Sequence, residues 1–203
     1  MAPLLHQLSM PTVVDFYSAL WPNFTPPLTF EQRIVIANDV VSVWGGVKNN
    51  KPETIKKYIT VYSCSEADYP LAGVASYSKI LGVINPDLYA IYDARVAVAL
   101  NAIQYIYGVK KGLIFNYIPG RNKTTGNARD KKGFVYTSPF QKNDLKKLGW
   151  ETIKRDDTYS VYLSLLKDVL SHFPDRKLYE FEMILFANAE KLALKAIAES
   201  TKK

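Results

Sequence analysis

Apolar side chains recur at helical spacing along most of this chain. The pattern is clearest between residues 30 and 44, where the apolar positions three or four apart are Ile34, Ala37, Val41 and Trp44. Gly45 and Gly46 follow directly, and glycines end a helix readily because they tolerate positive φ. The pattern therefore predicts a helix over residues 30–44.

Further stretches of the same kind predict helices along the rest of the chain. Pro52 is favoured in a first helical turn, and an apolar face extends from it to residue 62. The other predicted helices span residues 76–84, 94–107, 145–150, 158–173 and 177–200. The helix over 94–107 is nearly all apolar, so we expect it at the centre of the core.

The remaining segments predict a short strand and a terminal arm. Residues 133–137 predict the strand. Residues 1–27 are proline-rich at their end, and we expect a tethered arm with a short helix over 13–20 and Trp21 as its anchor. Because there is no internal repeat and no βαβ unit, the pattern predicts a mainly α, compact multi-helix domain spanning residues 1–203.

Composition limits the function classes. The chain has 203 residues, 48% hydrophobic and 22% charged, which suits one domain with its own core. No run approaches the roughly 18 apolar residues that span a membrane, and no secretory signal opens the chain. We therefore expect a cytoplasmic monomer with no membrane partner. Cys64 is the only cysteine and the two histidines are far apart, which excludes intrachain disulfides and predicts no metal and no cofactor.

Positive charge is concentrated in one segment. The net charge is +7, and residues 110–133, the basic segment, carry a net +6 because seven basic side chains face only Asp130. The seven are Lys110, Lys111, Arg121, Lys123, Arg129, Lys131 and Lys132. Turn-forming residues predominate between 118 and 133, which predicts a mobile basic surface loop. The loop suits binding to the phosphates of a polyanion; the alternative is a solvated connector whose charge maintains solubility.

A turn and a carboxylate stand out between residues 71 and 100. In Leu71-Ala-Gly-Val, Gly73 can take a positive φ, and Ser76 is placed to cap the helix that follows. Such a turn offers backbone amides to a phosphate. Asp93 directly precedes the apolar helix, so it either caps that helix alone or also places a reactive carboxylate at its start.

Residues 71–100 resemble a known enzyme family. The turn Leu71-Ala-Gly-Val-Ala, a short helix and an aspartate opening the next helix are similar to the helix-hairpin-helix DNA glycosylase superfamily. The run Asn85-Pro-Asp-Leu-Tyr-Ala-Ile-Tyr-Asp-Ala-Arg-Val96 resembles a bacterial 8-oxoguanine DNA glycosylase-like branch that includes phage-defence glycosylases. The resemblance implies a helix-hairpin-helix-like element in an enzyme that binds double-stranded DNA, flips out a modified base and leaves an abasic site.

The resemblance also implies catalytic residues. The aspartate at the position of Asp93 stabilises the positive charge that develops on the sugar and orients the attacking water. A lysine at the position of Tyr77 marks superfamily members that form a Schiff base, so Tyr77 implies a monofunctional enzyme. Lys79 is the rival nucleophile if the register differs by two residues, and it would need burial or a cationic neighbour to lower its pKa. The other interpretation of Lys79 is an exposed lysine that contacts phosphate.

A flipped base needs aromatic or apolar walls, and the candidates are Trp44, Tyr77, Tyr89 and Tyr92. The predicted DNA-binding residues are Gly73, Ser76, Arg95, Lys110, Lys111, Arg121, Lys123, Arg129, Lys131 and Lys132. Arg95 either binds phosphate or pairs with a carboxylate. The base is oxidised guanine or a bulky modified cytosine of phage DNA, which predicts a role in base excision repair or antiviral defence. The alternative class is a noncatalytic DNA-binding or interaction protein that retains the hairpin.

Overall fold

The structure is a computed structural model that describes residues 29–47, 50–61 and 68–202. The predicted arm over 1–27, with its helix over 13–20 and Trp21, lies outside the described residues. Within the described ranges the chain is mainly helical, as predicted, and its strands are short. Each helix in these ranges is too short or too polar to traverse a lipid bilayer.

The described residues form seven α-helices, which are α1 (Phe30–Asn38), α2 (Pro52–Val61), α3 (Val74–Ile84), α4 (Ala94–Ile106), α5 (Lys142–Lys147), α6 (Thr158–Ser171) and α7 (Leu178–Ser200). The two-residue strands are β1 (Leu113–Ile114), β2 (Arg121–Asn122), β3 (Gly126–Asn127) and β4 (Glu151–Thr152). The helices predicted over 52–62, 76–84, 94–107, 158–173 and 177–200 are confirmed, with ends that differ by at most two residues.

The helix predicted over 30–44 is confirmed in extent but changes its geometry. After Asn38 the backbone widens into a π-helical turn that ends at Trp44. The N–H of Gly45 closes the turn by donating to the carbonyl oxygen of Val40 at 3.0 Å. Gly46, at φ +66°, then redirects the chain. Such π turns are frequent at functional sites.

The strand predicted over 133–137 is wrong, because residues Phe134–Tyr136 form a 3-10 turn. Gly133 has φ +99°, which a strand does not accommodate. Burial of Phe134 holds the turn in place, and its ring stacks on Phe140 with 4.2 Å between the ring centroids. The apolar residues of this stretch therefore anchor a turn through Phe134 rather than forming a strand.

The helix predicted over 145–150 is shifted, since α5 begins at Lys142 and ends at Lys147. Gly149, at φ +87°, makes the turn that ends it. Trp150 is buried beyond this turn and donates its indole N–H to the carbonyl oxygen of Val109 at 3.1 Å.

Helix α4 is central, as predicted. Its residues from Val96 to Leu100 are all buried, and it packs most extensively against α7. The facing positions on α7 include the fully buried Ala189, Ala193 and Ala196, whose small side chains allow the two helices to approach closely.

Four tyrosines fill the rest of the core, namely Tyr77, Tyr92, Tyr159 and Tyr162, and none of them is exposed. Each hydroxyl donates to a backbone carbonyl oxygen, and the distances lie between 2.7 and 3.1 Å. These hydrogen bonds offset the cost of burying a hydroxyl group, so the rings contribute their full apolar area to the core.

A parallel pair of strands brings distant parts of the chain together. Leu113 of β1 lies opposite Glu151 of β4, and Ile114 lies opposite Thr152. The chain between the two strands contains the antiparallel hairpin of β2 and β3, the 3-10 turn and α5. This pairing positions the basic segment next to the start of α4.

Candidate functional site

Asp93 is the N-cap of α4, as one of the two sequence interpretations requires. Its Oδ1 accepts hydrogen bonds from the backbone N–H groups of Arg95 at 2.9 Å and Val96 at 3.0 Å. The residue is half-buried, between the fully buried Tyr92 and the surface. The carboxylate is therefore fixed in direction by the helix start, and catalysis by it stays a prediction.

Lys79 lies in the interior, so the interpretation as an exposed, phosphate-contacting lysine is wrong. Only 7% of the residue is exposed, and its Nζ donates to the carbonyl oxygen of Ala75. The physical reason is that α3 is buried nearly all round, and its lysine runs beneath the π turn. A Cβ placed on Gly45 would lie 2.9 Å from both Cδ and Cε of Lys79.

The burial of Lys79 changes its acidity. Desolvation lowers the pKa of the Lys79 amine below its usual value, while the nearby charges of Asp93 and Glu182 act in the opposite direction. Asp93 and Lys79 therefore belong to one electrostatically coupled group. To act as a nucleophile, Lys79 would need burial or a cationic neighbour that lowers its pKa, and the structure shows that Lys79 is buried.

Glu182 is a third member of this group, and the sequence interpretation missed it. The residue is 3% exposed and lies on α7. A signal was available, because Glu182 falls in the helical spacing of the buried α7 residues Leu178, Leu185 and Ala189. A carboxylate on the apolar face of a helix indicates an interior partner rather than a solvated side chain.

The turn before α3 is confirmed in part. Gly73 has φ +81° and is the N-cap of α3, as its predicted conformation requires. Ser76 is not a cap, because the helix begins at Val74 and Ser76 is buried, with its Oγ accepting from Asn50 Nδ2 at 3.1 Å. The backbone N–H of Ser76 donates to the carbonyl oxygen of Gly73 at 2.8 Å. The prediction that Ser76 caps the helix is therefore wrong, and its predicted contact with DNA stays a prediction.

The four aromatic candidates for a base pocket separate into two pairs. Tyr77 and Tyr92 are fully buried with their hydroxyl groups bonded inside the core, so the prediction that they line an open pocket is wrong for this structure. Tyr89 is half-buried, and its hydroxyl lies 3.1 Å from that of Tyr69. Trp44 is half-buried and packs against a small apolar cluster beside the π turn. These two rings remain the candidates near the surface.

Arg95 pairs with a carboxylate, which was one of its two predicted roles. Its Nη2 lies 3.2 Å from Glu190 Oε1, and its guanidinium stands 4.8 Å from the ring centroid of Phe186. The amide of Asn122 donates to the same Glu190 oxygen at 2.8 Å. Arg95 therefore joins α4 to α7, and Asn122 joins the basic segment to the same glutamate.

The basic segment forms turns that two asparagine side chains hold. Asn122 Oδ1 accepts from the N–H groups of Thr124 and Thr125, and Asn127 Oδ1 accepts from two further N–H groups in the same manner. Thr125 is fully buried beneath the segment. The asparagine side chains therefore satisfy the backbone locally, and the mobility of the predicted basic surface loop stays a prediction.

The seven cations of the basic segment are nevertheless all exposed. None of them forms an ion pair with any residue in the described ranges. Arg121 donates through Nη2 to the carbonyl oxygen of Gly46 at 3.3 Å, which joins the segment to the end of the π turn. This surface has uncompensated positive charge, as a polyanion-binding surface requires.

One contact places the basic segment close to the start of α4. A Cβ placed on Gly120 would lie 3.0 Å from the Ala94 Cβ, and the Gly120 N–H donates to the Tyr117 hydroxyl at 3.0 Å. Burial raises the pKa of Tyr117, and the charge of Asp93 adds a smaller effect in the same direction. We use the name Asp93 site for Asp93, Lys79, Gly45, Gly46, Gly120 and Arg121, which lie at the start of α4, on α3, after the π turn and in the basic segment.

No group of three or more histidine, cysteine, aspartate or glutamate residues in the described ranges is arranged to hold a metal ion. Comparison of the chain with known proteins gave no matching family model, no matching curated protein and no matching solved structure.

Proposed function

We propose that the chain is a DNA glycosylase that excises a modified base at the Asp93 site. The observation that carries this proposal is the Asp93 carboxylate held at the start of α4 by two backbone N–H groups, in a chain that also has a buried lysine, Lys79, and a segment of exposed cations without ion pairs among the described residues. A fixed carboxylate and a buried amine are groups that electrophilic sugar chemistry can use. The resemblance of residues 71–100 to helix-hairpin-helix glycosylases supports the same reaction, and Gly73 at φ +81° suits the hairpin turn.

Asp93 supplies the electrostatic part of the reaction. Cleavage of the glycosidic bond develops positive charge on the deoxyribose, and a carboxylate held in place stabilises that charge without reorganisation. The two N–H groups that bind Oδ1 fix the carboxylate in position. The helix cap and the catalytic role are compatible, since the hydrogen bonds from Arg95 and Val96 both go to that one oxygen.

Burial of Lys79 supports attack by the amine rather than by water, in place of the monofunctional route that Tyr77 implies. The Nζ atom forms a bond to C1′ of the sugar while the glycosidic bond breaks, and the bonding pair leaves with the base, which takes up a proton. The nitrogen bound to C1′ then gives up a proton, and the bond between C1′ and the ring oxygen breaks as that oxygen takes up a proton and the Schiff base forms. A lowered amine pKa increases the uncharged fraction that can attack.

Access to Lys79 passes through the glycine pair after the π turn. Gly45 covers the lysine methylenes, and Gly46 has no atom within 4 Å of a Cβ position. Arg121 holds the Gly46 carbonyl oxygen. We propose that DNA binding draws Arg121 to a phosphate and releases this segment from Lys79. The alternative is a noncatalytic DNA-binding protein. Its support is that capping of α4 is by itself a sufficient reason for an aspartate at position 93.

The test incubates the full chain with duplex DNA containing 8-oxoguanine, glucosylated hydroxymethylcytosine or only unmodified bases. Alkaline cleavage reports abasic sites, and borohydride reduction traps a Schiff base covalently. We expect excision of one modified base and a trapped adduct that Lys79→Arg abolishes. Asp93→Asn keeps a good helix cap and should reduce excision by about 10²–10⁴-fold.

The matched control is Asp87→Asn, an exposed carboxylate beside Lys177, which should leave excision unchanged. Abasic sites without a trapped adduct would restore the water route of the monofunctional enzyme. If no substrate yields abasic sites while the protein still binds duplex DNA, the protein is a noncatalytic DNA-binding protein.

A further inference from the structure

A cavity lies between the basic segment and α5, apart from the Asp93 site. It has a volume of about 210 Å³, and its apolar and aromatic lining includes Phe115, Tyr117, Val135, Tyr136 and Phe140. This volume is smaller than most sites for whole drug-sized ligands, so it accommodates one ring system with the rest of the ligand outside. We call it the Asn116 cavity.

The polar groups deep in the Asn116 cavity are already bonded. Asn116 is 5% exposed, and its Nδ2 donates to the Ile153 carbonyl oxygen and to Thr158 Oγ1, both at 2.8 Å. Asn101 exchanges two hydrogen bonds with the backbone of Phe115. The interior is therefore rigid and has little hydrogen-bonding capacity left, which favours a planar, stacking ligand group over a strongly polar one.

The exposed lining residues are cationic. Lys142 donates through Nζ to Asn116 Oδ1 at 3.0 Å, which leaves two of its three donors unused. Arg155 makes no hydrogen bond or ion pair through its side chain with any residue in the described ranges. The pKa of Lys142 is lowered by desolvation and by the charges of Lys146 and Arg155, with no carboxylate opposing them. Crowded, unpaired cations beside a cavity are stabilised by an anion.

We propose that the Asn116 cavity binds a nucleotide, with its base against Tyr136 and its phosphate between Lys142 and Arg155. The base and the phosphate correspond to the two halves of the site, an aromatic apolar lining and a cationic opening. Aromatic side chains stack on any base, and guanidinium and ammonium groups bind phosphate oxygens. The nucleotide is either free or one unit of a nucleic acid strand that follows the basic segment.

Calorimetric titration of the full chain with deoxyguanosine monophosphate tests the site. We expect one bound nucleotide per chain, at least tenfold tighter than deoxyguanosine or inorganic phosphate alone, because only the nucleotide engages both halves. We expect binding to weaken about tenfold or more in each of the variants Tyr136→Ala, Lys142→Gln and Arg155→Gln. Lys142→Arg keeps the positive charge and should bind the nucleotide as the unmodified chain does.

The matched control is Lys147→Gln on the same helix. Lys147 pairs with Asp144 and does not line the cavity, so its loss should change the affinity less than twofold. Absence of nucleotide binding, an equal effect of Lys147→Gln, or tighter binding of free phosphotyrosine than of the nucleotide would overturn the proposal.

Titration with a single-stranded oligonucleotide shows whether the bound nucleotide is free or is one unit of a nucleic acid strand. If Tyr136→Ala weakens oligonucleotide and mononucleotide binding alike, the site holds a unit of a strand; if it weakens only the mononucleotide, the ligand is free. The proposal does not depend on glycosylase activity. Asp93→Asn should leave nucleotide affinity unchanged, so failure at the Asn116 cavity and failure at the Asp93 site are distinguishable.

Discussion

Lys79 lies in the interior, where desolvation lowers the pKa of its amine while the charges of Asp93 and Glu182 act in the opposite direction. Its position follows from α3, in which every residue from Val74 to Val83 except Ala75 is buried. A helix that is apolar nearly all round is a core helix, and its single lysine must enter the core with it. In the sequence, the apolar run Ile80-Leu-Gly-Val83 indicates that this helix is buried.

Removing the Asp93 charge should change the acidity of Lys79. Because the carboxylate stabilises the ammonium form, Asp93→Asn should lower the Lys79 pKa further below its usual value of 10.5. The measurement is a pH titration of the ¹³C-labelled lysine Cε resonances, with Lys79 assigned by its loss in Lys79→Arg. Asp87→Asn is the control and should leave this resonance unchanged. A Lys79 midpoint at or above 10.5 in the unmodified chain would contradict the burial of this side chain.

The same titration has a defined effect on stability. Since the folded state holds the Lys79 pKa below that of the unfolded chain, the unfolded state binds more protons in the window between the two values. The contribution of this group to the free energy of unfolding therefore rises with pH through that window. It is least favourable below the lowered pKa.

At the level of secondary structure, the long helices could be predicted from spacing, while the basic segment could not. Helices α4, α6 and α7 are 13, 14 and 23 residues long, and apolar positions recur at helical spacing along them, which fixes both their type and their extent. Residues 118–133 have no such period. Their fold depends on Asn122 and Asn127, whose side chains bind nearby backbone N–H groups, and asparagine is equally common in open turns.

Asn122→Ala should destabilise the basic segment. The change removes acceptors for two backbone N–H groups and the hydrogen bond to Glu190, so we expect the free energy of unfolding to fall by about 1–3 kcal/mol. Denaturant titration measures it. Asn188→Ala is the matched control, because its amide bonds only to the Ile184 carbonyl oxygen within α7, and its effect should stay within about 0.5 kcal/mol. Equal effects would show that Asn122 does not hold the segment.

For the whole molecule, composition and periodicity predicted a mainly helical domain, but not the arrangement of the candidate site. The Asp93 site joins α3, α4, the π turn and the basic segment, which are far apart along the chain. Contacts such as Arg121 to Gly46 depend on backbone carbonyl groups, which are present in every residue and give no sequence signal. The two-residue strands β1 and β4 are also too short to show a period.

Binding of duplex DNA should depend on salt through the exposed cations of the basic segment. Neutralising Arg121, Lys123 and Arg129 to glutamine should reduce the slope of log affinity against log salt concentration by about 3, one for each phosphate that is no longer neutralised. The measurement is fluorescence anisotropy of labelled duplex DNA across a salt series. Lys167→Gln, Lys195→Gln and Lys202→Gln together remove the same charge from α6, α7 and the C-terminal turn, and they should alter the slope little. A slope that the first triple variant leaves unchanged would remove the basic segment from the DNA-binding surface.

The parallel pairing of β1 with β4 has a consequence for how this protein can diverge. The pair brings the two ends of residues 115–150 close together, with Leu113 opposite Glu151. The exposed turns of this insert can therefore change in length while the paired strands keep its two ends in place, whereas the residues that pack on α4, α6 and α7 have to be kept. A different ligand preference can therefore evolve through the exposed turns of residues 115–150 while the helices stay the same.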